Sequence, residues 1–81
     1  MKFELYTQAV LKADQPEHGL CKGDVVTLVD HHVAPGGAEG YSIEVFNAVG
    51  DTIAVTSVDV GDLEPLRADE VLAVRRLESA A

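Results

Sequence analysis

Turn-forming residues recur at short intervals along this chain and limit what it can fold into. Prolines and glycines interrupt it at residues 16–19, 33–40 and 48–51. The segments between these breaks have the length of β-strands and are too short for the helices of a bundle. The sequence therefore predicts a mainly β domain of about five antiparallel strands.

The residues between the breaks alternate in polarity as strands do. The predicted strands cover residues 6–13, 21–32, 41–47, 52–58 and 63–66, with one helical turn at 59–62. In the segment YSIEVFN, Tyr41, Ile43 and Val45 share one face and the polar residues share the other. Gly50 then allows the left-handed backbone of a hairpin turn between the third and fourth strands.

A chain of 81 residues makes a single domain with one modest core. Aromatic residues are only 5% of the chain, so Val, Leu, Ile and Ala fill that core. The pattern offers no second sheet for the first to pack on. Closing one sheet into a small barrel over residues 1–66 buries one face and removes edges, so a barrel is the predicted architecture.

Residues 67–81 differ from the strands and form a tail. Val71, Val74 and Leu77 fall on one helical stripe, and acidic residues precede basic ones in the order that suits a helix dipole. The pattern predicts a short C-terminal helix, with Leu72 deciding whether it docks on the barrel. A strand is the alternative, because the sequence VLAV is compatible with either structure.

Four short segments carry a resemblance to a known family. They are the PEHGL loop at 16–20, the Gly23-Asp24 turn, the Gly40-Tyr41 pair and the hairpin at 47–54. From about Leu5 to Leu66 the chain resembles the small bacterial proteins of domain-of-unknown-function family 4926. The resemblance implies an SH3-like barrel, and the GLCKGD segment is similar to the start of its KOW subclass. Val26 departs from that pattern, which has a second glycine there. The resemblance also implies a two-gene module with a toxin-like neighbour.

The charge and the cysteine content bear on partners and compartment. A net charge of −8 would repel a phosphate backbone, so we expect no nucleic-acid partner. A basic protein surface is the expected partner instead, although the charge also serves solubility alone. Cys21 is single, no apolar run reaches membrane-spanning length, and the start MKFELYTQ does not resemble a signal peptide. We therefore expect a cytoplasmic protein without a membrane partner.

Histidine, cysteine and glycine residues that could serve catalysis, metal binding or phosphate binding are present, but their spacing does not suit these roles. His31 and His32 point to opposite faces of a strand, and adding His18 and Cys21 gives no trusted zinc spacing. Cys21 has no base held beside it, and the glycines of residues 33–40 lack a phosphate-binding lysine. We expect no catalytic residues, no metal and no cofactor, and hence no enzyme.

A protein-binding face is the remaining functional expectation. Its predicted residues are Phe46, Asp59, Asp62 and Glu64, because an outward aromatic side chain among acidic residues is typical of a binding hot spot. Two alternatives stay open: the acids form only a solvated surface, or the tail covers Phe46.

The predicted function is to neutralise or escort a cognate protein, as antitoxins and immunity proteins do. The alternative is an accessory or scaffold subunit of a larger complex. Alone, we expect a monomer or weak homodimer.

Overall fold

The computed structural model describes residues 3–77 of the chain. The strands are β1 (Gln8–Leu11), β2 (Val25–Val33), β3 (Glu39–Phe46), β4 (Thr52–Asp59) and β5 (Leu63–Glu64), and short 3-10 turns occupy Pro16–His18 and Val60–Asp62. All pairings are antiparallel, in the order β4-β3-β2-β1-β5. The sheet curls into a half-barrel with the strand order of an SH3-like fold, which confirms the predicted mainly β class.

The long strand β2 makes the sheet curl. Its first residues pair with β1, and from Thr27 onward it pairs with β3. The register with β3 shifts between Leu28 and Asp30. A bulge of this kind bends a strand and increases its twist, so β2 serves both halves of the curled sheet.

The predicted hairpin between β3 and β4 is confirmed. The side-chain oxygen of Asn47 accepts hydrogen bonds from the backbone N–H groups of Val49 and Asp51, at 3.1 and 2.9 Å. Gly50 has a φ of 93°, a conformation that costs glycine nothing. The turn is therefore specified by its own residues.

The core lies on the concave inner face of the sheet. Tyr41, Ile43 and Val45 are buried there as predicted. The Tyr41 hydroxyl closes one end by accepting a hydrogen bond from the Phe3 backbone N–H and donating to the Phe3 carbonyl. The buried core cluster comprises Ala9, Leu11, Leu20, Val26, Leu28, Tyr41, Ile43, Val45, Val58 and Leu63.

The predicted C-terminal helix is wrong over the described part of the tail. Residues 71–77 have no regular secondary structure, and residues 78–81 lie outside the described part of the chain. A helix this short is marginal in water unless it packs well, and β-branched Val71 and Val74 disfavour it further. Arg75 instead pairs with Asp24, which fastens the tail to the segment just before β2.

The other strand boundaries differ modestly from the predictions. β1 and β5 are shorter than expected, while β2 and β3 extend into the predicted 33–40 loop, which shrinks to residues 34–38. The helical turn predicted after β4 is present at Val60–Asp62. Within residues 3–77, no helix has the length and apolar character needed to cross a membrane.

Candidate protein-binding surface

The convex outer face of the sheet carries an open cleft of about 800 Å³ between the strands and the tail. We call it the outer cleft. Its apolar wall is formed by Val10, Val25, Phe46, Ile53 and Leu66. Tail residues 70–75 and Leu77 line the opposite side. The cleft is therefore bounded by the sheet on one side and by the tail on the other.

Phe46 keeps much of its ring exposed at this cleft. It lies at the end of β3 opposite Thr52, next to a register shift in the ladder, and 43% of its surface is accessible to solvent. Leu72, the residue expected to dock the tail, is 69% exposed. The tail thus borders Phe46 without covering it.

One end of the tail is fastened by an ion pair. The Arg75 guanidinium donates to both carboxylate oxygens of Asp24, from Nε at 2.8 Å and from Nη2 at 2.6 Å. Asp24 also accepts a hydrogen bond from the Cys21 backbone N–H. Partial burial raises the pKa of Asp24, but the bonds from Arg75 and Cys21 and the Arg75 charge outweigh it, so the pKa lies below its ordinary value.

The four predicted binding residues do not gather in one hollow. Phe46 and Glu64 line the outer cleft. Asp59 and Asp62 line a smaller hollow of about 320 Å³, together with His32. The eight residues of β4 separate the two ends, a distance of roughly 25 Å at about 3.3 Å per residue.

A stripe of exposed side chains on β4 joins these two ends. Alternate residues of a strand share a face, and the outer-face residues of β4 are exposed from the cleft to the second hollow. Val55, at the centre, is 64% exposed. We call this the β4 stripe; it consists of Ile53, Val55, Ser57 and Asp59.

The histidines occupy separate places, and His31 and His32 point to opposite faces as predicted. His31 pairs with Glu39 at 2.7 Å and packs its ring against Tyr41. His32 lies beside the hydroxyls of Ser42 and Ser57. Within the described residues, no group of three or more His, Cys, Asp or Glu side chains is placed to hold a metal ion.

The charge of strands β3, β4 and β5 is one-sided, whereas Lys22 and Arg75 line the outer cleft from other segments. Residues 39–66, which supply β3, β4 and β5, contain no Lys or Arg. Their acidic residues are Glu39, Glu44, Asp51, Asp59, Asp62 and Glu64. The basic residues lie before β3 or in the tail, so the potential beside β4 is negative.

Sequence reasoning missed Ile53 and Val55 on this surface, and it missed the Asp24–Arg75 pair. The alternation of TIAVTSVD contained the signal for Ile53 and Val55, because one face of that strand had to be the outer one. No local pattern signals the ion pair, since Asp24 and Arg75 lie 51 positions apart in the sequence.

Comparison with known proteins gives one match. The model of a protein family described as Domain of unknown function (DUF4926) matches residues 5–65. That range begins before β1 and ends just after β5, so it contains the whole sheet. The comparisons with curated proteins and with solved structures give no match.

Proposed function

We propose that this chain, which belongs to the family described as Domain of unknown function (DUF4926), is a non-catalytic domain that binds a partner protein. Membership of that family names no activity. The exposed apolar surface of the outer face carries this proposal. Phe46, Ile53 and Val55 are all more than a third exposed and lie along neighbouring stretches of β3 and β4. Contiguous apolar surface of this kind marks interaction sites.

The charge of the surface supports a basic partner. No Lys or Arg of residues 39–66 offsets the acidic residues that flank the apolar stretch. Opposite charges steer two proteins together and raise the association rate, whereas a buried aromatic anchor slows dissociation. Phe46 is the proposed anchor, and Asp59, Asp62 and Glu64 are the proposed steering residues.

The proposed role is to neutralise or escort a cognate protein, in the manner of an antitoxin or immunity protein, within the cytoplasm. The alternative role is an accessory or scaffold subunit of a larger complex. The two differ in what the partner does alone. A neutralised partner is toxic or active when freed from this domain, whereas a partner in a complex loses activity or stability without it.

Affinity capture from the native host, followed by binding measurements with the purified partner, tests the proposal. A desolvated aromatic anchor contributes about 2 kcal/mol, so Phe46→Ala should weaken binding roughly thirtyfold, mainly through faster dissociation. Val33→Ala is the matched control, since Val33 is also exposed but lies at the far end of β2. It should leave the affinity unchanged.

Reversal of Asp59, Asp62 and Glu64 to Lys should slow association with the same partner and flatten its salt dependence. Circular dichroism and a thermal melt establish that each variant is folded. If Phe46→Ala lowers the melting temperature while the folded protein binds normally, Phe46 is structural. If the partner binds all folded variants as it binds the wild type, the outer face is not the binding surface and the proposal is wrong.

A further inference from the structure

Strand β4 is an open edge of the sheet. It pairs with β3 on one side only. Within the described residues, no backbone hydrogen bond joins Thr52–Asp59 to any other segment. An edge strand of eight residues presents a row of unpaired N–H and C=O groups to solvent.

The two edges of the sheet are protected differently. On the opposite edge, β5 has only two residues and is followed by Pro65, so it offers little to pair with. β4 contains no Pro and no Lys, and its single charged residue, Asp59, stands at its end. Of the usual devices that prevent strand addition, β4 has only the register shift at its first residues, beside Phe46, so its remaining length is unprotected.

The β4 stripe indicates what would fit this edge. Its apolar part, Ile53 and Val55, continues the wall of the outer cleft, and its far end is acidic at Asp59. Phe46 and Asp59 lie too far apart for one compact ligand. An extended segment lying along β4 reaches both ends.

We propose that β4 accepts an extended cationic segment of the partner protein as an added strand. Backbone hydrogen bonds supply the pairing, and the side chains that the added strand places on the outer face match the β4 stripe, apolar ones beside Ile53 and Val55 and basic ones beside Glu44 and Asp59. A second copy of this chain fits less well, because each copy carries a net charge of −8. The proposal rests on the proposed protein-binding function and specifies its mode.

A short blocked peptide about as long as β4, with valine and then lysine along one face and threonine at the alternate positions, tests this mode with the isotopically labelled full chain. Amide hydrogen exchange should show new protection at alternate residues of Thr52–Asp59, and the affinity should fall as salt is added. A peptide with glutamate in place of lysine should not bind. The lysine peptide with its alternate backbone amides methylated should bind at least tenfold more weakly, because it cannot complete the ladder.

Two variants with the same charge change sharpen the test. Val55→Lys, on the β4 stripe, should weaken peptide binding at least tenfold, while Val33→Lys, at the far end of β2, should change it less than threefold. Strand addition is overturned if the methylated peptide binds as well as the parent, if protection appears away from β4, or if the lysine peptide does not bind. In each case the Phe46→Ala comparison with the captured partner decides separately whether the proposed function stands.

Discussion

The inner and outer faces of the β3–β4 hairpin differ in how far their apolar side chains are buried. On the inner face, Tyr41 and Ile43 are fully buried by the curl of the sheet. On the outer face, Ile53 and Val55 belong to the same β3–β4 ladder and remain exposed. Folding therefore accounts for one apolar face of the hairpin but not for the other, and an uncovered apolar face with acidic neighbours is the chemistry of a binding surface.

The largest expected loss of folding stability follows from a substitution on the inner face. Ile43→Ala removes a side chain with no solvent exposure from the centre of the core and should lower the free energy of unfolding by about 2–5 kcal/mol. Val55→Ala, one strand away on the outer face, should change it by less than about 0.5 kcal/mol. Urea denaturation of both variants measures the difference. Equal losses would show that the outer face is also core.

A smaller loss of folding stability is expected at Gly40, where the backbones of β3 and β4 approach closely. A Cβ atom at Gly40 would lie 2.9 Å from the Val58 carbonyl oxygen and 3.2 Å from the His32 ring. Gly40→Ala should therefore cost about 1–3 kcal/mol as the β3–β4 ladder shifts.

Gly61 is the matched control for that variant, because a Cβ there meets nothing within 4 Å. Gly61→Ala should leave stability unchanged or raise it by up to about 1 kcal/mol. Thermal melts of the two variants give the comparison. A Gly40→Ala protein as stable as the wild type would mean that the ladder tolerates a side chain at its closest point.

The smallest expected effect concerns the tail that borders the outer cleft. Arg75→Ala should lower stability at neutral pH by about 0.5–1 kcal/mol, because the pair with Asp24 is partly exposed. The pKa of Asp24 is lowered in the folded state. Its stabilising effect is therefore present above the unfolded-state pKa of about 3.9 and is lost as the pH falls through the folded-state value.

Urea denaturation of wild type and Arg75→Ala from neutral to acidic pH checks this prediction. The difference in stability should shrink towards zero below about pH 4, as Asp24 becomes protonated. Arg67→Ala serves as the control, since its pair with Asp69 is far more exposed. A difference that stays constant with pH would show that Arg75 acts through packing and not through its charge.

The sequence predicted those parts of the fold whose determinants are local. The β3–β4 hairpin follows from Asn47, Gly50 and the alternation beside them, and the inward set at Tyr41 follows from a period of two. The tail was mispredicted because its conformation depends on Asp24, which is distant in sequence. Helical periodicity alone does not decide such a case.

The candidate site was predicted in part. An outward Phe46 follows from the alternation and is confirmed by its exposure. Its predicted grouping with Asp59 and Asp62 did not take the length of β4 into account. That length sets the two acidic residues at the other end of the strand, in a separate hollow. The β4 stripe that links the two ends depends on which strand lies at the sheet edge, a property of strand order and not of local sequence.

Chemical-shift mapping of the isotopically labelled protein with its captured partner locates the binding surface residue by residue. The largest changes should fall on Phe46, Ile53 and Val55 and along the backbone of β4, while core residues such as Ile43 change little. Changes concentrated in the loop at residues 16–20, with the outer face unaffected, would contradict the proposed binding surface.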